Sequence, residues 1–152
     1  MITLPEKLAS MTPYDPCEDV YQIKLDANES FFSLPEDLRD AIAAGIDTID
    51  FNRYPDPTVD GLRRLAGREF RIAPGNIVVG NGSDELISLI MNTFAPRGGK
   101  VMVLSPDFSM YQFYAEVAEL EVVNLLKDGE LMLNEQEVIG RAKAEKPDIL
   151  IF

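Results

Sequence analysis

Ile77-Val78-Val79-Gly80-Asn81-Gly82-Ser83-Asp84-Glu85-Leu86 joins a short apolar run to a glycine turn and then to the start of an amphipathic helix. The run 77–79 is too short and too β-branched for a helix, and between Pro74-Gly75-Asn76 and Gly80 it predicts a buried strand. Ser83 is the expected N-cap, with Asp84 and Glu85 in the first turn, where acidic side chains suit the positive end of the helix dipole. Leu86, Ile90 and Phe94 recur at four-residue spacing, flanked by Ile87 and Met91, and predict one apolar face. A strand, a glycine turn and a fresh helix N-terminus leave backbone N–H groups free to hold an anion such as a phosphate. The third glycine of a dinucleotide fingerprint and the Gly-Lys-Ser/Thr of a P-loop are both absent, so an ordinary strand-to-helix connection is the plainer alternative. The acidic pair suits an anion site only if its carboxylates turn away and its amides face the ligand.

On the carboxyl side of this stretch the pattern alternates: strand over 101–104, helix over 106–120, strand over 121–126, helix from Asn134 to about residue 144 with Glu137 three positions into it, and strand over 148–152. Strands separated by helices of this length predict an α/β fold with a mostly parallel sheet, flanking helices and ligands at the carboxyl ends of the strands. Asp128-Gly129 adds a tight turn. A core strand ends the sequence, although the functional loop in such sheets lies just beyond the strand, so the chain reads as cut short.

On the amino side, residues 1–35 are punctuated by Pro5, Pro13, Pro16 and Pro35 and hold one strand-like piece, Tyr21-Gln-Ile-Lys-Leu25. Pro35 suits the first turn of a helix to about Ile46, with Leu38, Ile42 and Ile46 on one face. Phe51-Asn-Arg-Tyr-Pro-Asp-Pro57 is a turn-rich linker. A second helix starts at Thr58 as N-cap, with Val59, Leu62, Ala66 and Phe70 inward and Arg63, Arg64 and Arg68 largely outward. The expected division is an arm and first helix over 1–50 and the first part of a larger domain over 51–152.

With 152 residues, 46% hydrophobic and 26% charged, the chain has the composition of a soluble globular domain. A net charge of −12 argues against nucleic acid or an anionic membrane as partner, and any bound phosphate needs local donors acting against that field. Cys17 is the only cysteine, which rules out an intrachain disulfide or a cysteine zinc site and fits a reducing compartment. With no signal pattern and no apolar run long enough to span a bilayer, a cytoplasmic location is expected. The absence of histidine excludes a histidine triad or an imidazole base.

Lys24-Leu-Asp-Ala-Asn-Glu-Ser30, Arg53-Tyr-Pro-Asp-Pro57, Gly80-Asn-Gly-Ser-Asp-Glu85 and Pro106-Asp-Phe-Ser-Met-Tyr111 stand in one order, with separations matching a known family. Together they resemble the N-terminal portion of the histidinol-phosphate aminotransferases, in the class I/II, fold type I pyridoxal-phosphate enzymes, over essentially the whole chain. The resemblance implies the first part of that fold's large domain and a homodimer acting on a small-molecule substrate. It implies that Gly82, Ser83 and Asp84 bind the phosphate of pyridoxal 5'-phosphate and that Phe108 stacks on its ring. Tyr54 resembles the tyrosine that reaches from one subunit to the phosphate in the other, and Tyr14 and Asn28 resemble arm residues that close over the substrate. Each also has a plain structural alternative: Phe108 as a helix-start core residue, Tyr54 lying on its own domain, Tyr14 and Asn28 as ordinary loop residues.

The family's Schiff-base lysine, the aspartate on its pyridine nitrogen and the arginines for substrate anions lie beyond the matched portion. Of Lys7, Lys24, Lys100, Lys127, Lys143 and Lys146 none matches the Schiff-base position, although Lys127 follows a strand end. The chain alone is therefore expected to be catalytically inactive. A threonine-phosphate decarboxylase, an aromatic aminotransferase or a non-catalytic α/β binding module are the alternatives.

Overall fold

The structure, a computed structural model, describes residues 9, 11, 20–25 and 28–152. They belong to two compact units that meet in sequence between Ile77 and Val78. Tyr14 and Cys17 lie outside the described residues.

Among the described residues, the unit Pro13–Ile77 holds two helices, α1 (Glu36–Ile46) and α2 (Asp60–Phe70), and a 3-10 turn at Pro74–Asn76. Pro35 is the N-cap of α1, where the missing N–H costs nothing. Its stripe Leu38, Ile42 and Ile46 is about half exposed. No strand forms over 20–25, where Val20, Ile23 and Leu25 are exposed. Alternating apolar residues make a strand only when another strand accepts their backbone groups.

α2 departs from expectation at its start. The N-cap is not Thr58 but Val59, with a φ of +49° and no side-chain capping bond. The Asp56 carboxylate closes the preceding turn by accepting the N–H of Thr58 at 2.9 Å, its hydroxyl at 2.7 Å and the N–H of Asp60 at 3.0 Å. The inward face also differs. Gly67 is buried, Arg63 is half-buried, and Leu62 and Phe70 are exposed. Arg63 turns inward because its Nε donates to the Pro74 carbonyl at 2.9 Å, tying the helix to the turn that follows it. A Cβ on Gly67 would lie 2.7 Å from the Ile72 carbonyl oxygen, so only glycine lets that chain return so closely.

The second unit is the expected α/β layer structure: α3 (Gly82–Phe94), β1 (Lys100–Ser105), α4 (Met110–Val117), β2 (Glu121–Leu126), α5 (Glu135–Glu145) and β3 (Ile149–Ile151). The sheet has the order β2-β1-β3 and both pairings are parallel. Lys100 stands opposite Glu121 and Ser105 opposite Leu126, while Val101 to Val103 pair with Ile149 to Ile151. β1 is central and buried on both faces, which its continuous apolar run requires. Val101 and Val103 pack with Met91, Ala115 and Leu120 on one side of the sheet. Met102 and Leu104 pack with Val123, Leu125, Val138 and Ala142 on the other. Helices α3 and α4 therefore cover one face and α5 the other.

Three expectations are corrected, in whole or in part. Residues 77–79 form no strand, because no described strand accepts their ladder bonds. The helix over 106–120 is shorter, since residues 106–109 form a loop before Met110. On α3 the buried face is Ile87 and Met91, while Ile90 and Phe94 are exposed. The helix meets the sheet and α4 through the flanking part of the expected face, Ile87 and Met91, with Leu86 half-buried beside them. Asn134 caps α5 as expected, its side chain accepting the Gln136 N–H at 2.8 Å. Asp128 also closes the expected turn, accepting the N–H groups of Glu130 and Met132.

Candidate cofactor-phosphate site

The glycines of Gly80-Asn81-Gly82 serve different ends. A Cβ on Gly80 would come within 2.8 Å of the Leu86 side chain, whereas Gly82 has open space but a φ of +79°. One permits close approach and the other a left-handed turn. Asn81, not Ser83, is the N-cap, and its side chain makes no capping bond. Ser83 and Asp84 instead occupy the first turn of α3.

Local bonds take up two of the N–H groups at this end. Gly82 donates to the Gly80 carbonyl at 3.1 Å, and Asn81 donates to the Glu85 carboxylate. Among the described residues no acceptor takes the N–H groups of Ser83 and Asp84. Glu85 thus folds its charge back onto the preceding loop and leaves these amides at the positive end of a thirteen-residue helix. The Asp84 side chain lines a groove of about 520 Å³ with Ser88 and Tyr114, and its Oδ1 is buried without a partner. The donor set fits a phosphate: two adjacent backbone amides, the Ser83 hydroxyl and a dipole of the right sign.

Phe108 stands in the loop after β1. β1 leads into α4 on one face of the sheet and β2 leads into α5 on the other. The carboxyl ends of these neighbouring strands are therefore a switch point, where parallel sheets hold ligands. Phe108 is 45% exposed and meets Tyr111 edge-on, with ring centroids 5.6 Å apart and an interplanar angle of 89°. It is not the core residue of the structural alternative. Tyr111 continues to α3 through a groove that it lines with Ile87 and Ile90.

The loop that carries Phe108 is fastened by a pairing that the sequence did not mark, Asp107 with Lys127. Asp107 Oδ1 accepts the Phe108 N–H at 2.8 Å, and its Oδ2 accepts from Lys127 Nζ at 2.9 Å. These bonds, the Lys127 ammonium first, hold the Asp107 carboxyl below its ordinary value of 3.8. The strand register was the signal that could have found the pair, since Ser105 opposite Leu126 brings residues 107 and 127 together just past the strand ends.

In the other unit Tyr54 is fully exposed and does not lie on its own domain. Asn28 is exposed with a φ of +51°, a conformation its short side chain tolerates. The structure brings neither of them to Gly82, Ser83, Asp84 or Phe108 within one unit.

Residues 20–148 match the family described as aminotransferase class I and II. A histidinol-phosphate aminotransferase of Clostridium novyi is 41% identical over 140 residues, covering 92% of this chain and 39% of that protein. One from Pyrococcus furiosus is 35% identical over 139 residues, covering 91% of this chain and 40% of its own length. Among solved structures, histidinol-phosphate aminotransferase from Sinorhizobium meliloti in complex with pyridoxal-5'-phosphate superposes with a TM-score of 0.72 at 20% identity, over 82% of this chain and 33% of that one. The enzyme from Clostridium acetobutylicum gives 0.66 at 23% identity, over 78% and 33%. The chain thus spans about 40% of the length of the curated relatives it matches. Among the described residues no helix is long and apolar enough to cross a membrane.

Proposed function

The chain belongs to the class I and II aminotransferases, and from that premise we propose that it forms the amino-terminal, cofactor-phosphate-holding part of a histidinol-phosphate type aminotransferase. The reaction is transfer of an amino group between an amino-alcohol phosphate and a 2-oxo acid. The observation that carries this is the start of α3, where the Ser83 and Asp84 amides stand without acceptors after a glycine turn and the Glu85 carboxylate is engaged by the Asn81 N–H.

When bound, pyridoxal 5'-phosphate supplies an electron-withdrawing ring that makes bonds at the amino-bearing carbon easier to break. This chain's share is to hold and orient. Gly82, Ser83 and Asp84 present amides and a hydroxyl to the phosphate, and Phe108 offers a flat apolar ring that stacks and excludes water. Tyr54 is rigidly presented by Pro55 and Pro57, and full exposure leaves its hydroxyl available to the phosphate of a second subunit. We assign Tyr14 and Asn28 to closure over the substrate, residues 51–152 to the large domain, and the molecule to a cytoplasmic homodimer.

None of this chain's lysines is assigned the cofactor linkage, so the 152 residues bind the cofactor without turning it over. Equilibrium dialysis of pyridoxal 5'-phosphate tests this, with inorganic phosphate as competitor and Ser83→Asp as the variant. An acidic residue in the first turn keeps the helix favourable and opposes the ligand. Saturable binding that phosphate displaces, and that Ser83→Asp weakens at least about tenfold, is the expected result. Binding indifferent to both overturns the assignment, as does a single lysine stoichiometrically modified after borohydride reduction.

A further inference from the structure

We propose that Lys127 is a positioning residue for Phe108, acting through Asp107 across the carboxyl ends of β1 and β2. The connections leaving these strands diverge to opposite faces of the sheet, so strand pairing stops at Ser105 and Leu126 and cannot fix the loop beyond. Lys127 extends the order by three bonds. Its N–H donates to the Ser105 carbonyl at 2.6 Å, and its Nζ donates to the Pro106 carbonyl and to Asp107 Oδ2, each at 2.9 Å. The other oxygen of the same carboxylate takes the Phe108 N–H at 2.8 Å. One ammonium thus fixes one carboxylate, which fixes the backbone of the ring-bearing residue, and the ring then rests edge-on against Tyr111.

The pair is built for this more than for surface charge. The side chains of Lys127 and Asp107 are 20% and 26% exposed, against 84% for Arg97 in its pair with Glu119, so solvent screens the first less. An ammonium with three donors serves a carbonyl and a carboxylate at once, which a neutral residue of the same length does not. The functional consequence rests on Phe108 being the ring that stacks on the cofactor; the clamp itself does not.

The chain has no tryptophan, so Phe108→Trp introduces a single fluorescent reporter at the ring. In that background Lys127→Met should raise the acrylamide quenching constant of the indole about two- to fivefold, as the loss of a shielded ion pair loosens the loop locally. Far-UV circular dichroism should stay unchanged. Asp107→Asn should do the same from the other side, which secures the result if Lys127→Met fails to fold. Lys127→Arg should restore most of the protection. Unchanged quenching in folded Lys127→Met and Asp107→Asn overturns the proposal. Adding pyridoxal 5'-phosphate separates the two assignments. Quenching of the indole that weakens with Lys127→Met supports both, and equal quenching with and without the ammonium overturns the positioning role. If the cofactor never quenches the indole while Lys127→Met still frees it, the clamp stands and the cofactor assignment falls.

Discussion

At Gly82 a φ of +79° sets the price of any side chain, because an added Cβ meets no neighbour there. Gly82→Ala should therefore cost about 1–2 kcal/mol from backbone strain alone, and Gly82→Asn less, since asparagine visits the left-handed region more readily. Urea midpoints of the two variants decide this; equal losses would show that something other than φ holds the glycine. Asp107 gives a second effect of a single side chain. Its folded pKa is depressed below 3.8 by the Lys127 ammonium and the Phe108 N–H. A carboxyl depressed on folding stabilises the protein above its unfolded pKa, and that contribution is lost as pH falls through the folded value. The stability difference between the wild type and Asp107→Asn should be full at neutral pH and shrink as pH drops below 3.8. Urea titrations along that range measure it, and a gap that stays constant would remove Asp107 from the acid response.

The elements differ in how far their sequences fixed them. β2 spans Glu121–Leu126 as its apolar run and boundaries predict, and α5 starts after Asn134 because the signal, a side chain capping its own helix, is entirely local. Asn134→Ala should accordingly cost about 1 kcal/mol in a thermal or urea melt, and Asn134→Ser should recover most of it. Residues 77–79 show the opposite case. Their β-branched run satisfies every local rule for a strand, yet strand formation needs a partner's backbone, which no local pattern supplies. The apolar face of α3 was legible only in part: Ile87 and Met91 reach the core and Leu86 is half-buried, while Ile90 and Phe94 are exposed, because the position of the sheet selects which part of the face is covered. In the candidate site the glycine turn was legible for the same reason as the α5 cap, whereas Phe108 was singled out only by the family resemblance. Asp107 with Lys127, joined across twenty residues by parallel register, was not.

For the whole molecule the decisive quantity is the net charge of −12, carried by 26 acidic against 14 basic side chains. A phosphate at the start of α3 is attracted at short range by amides and a helix dipole and repelled at long range by the rest of the chain. These two terms respond differently to salt. The repulsion acts over many ångströms and is screened once the Debye length falls from about 30 Å at 0.01 M to about 8 Å at 0.15 M ionic strength. The donor contacts at the helix end are short and lose far less. Affinity for pyridoxal 5'-phosphate should therefore rise with salt over this range, by about two- to threefold, the reverse of what a basic anion-binding surface shows. Dialysis in a salt whose anion competes poorly with phosphate makes the measurement. An affinity that falls steeply instead would mean that exposed lysine and arginine side chains, and not the amides of Ser83 and Asp84, hold the ligand.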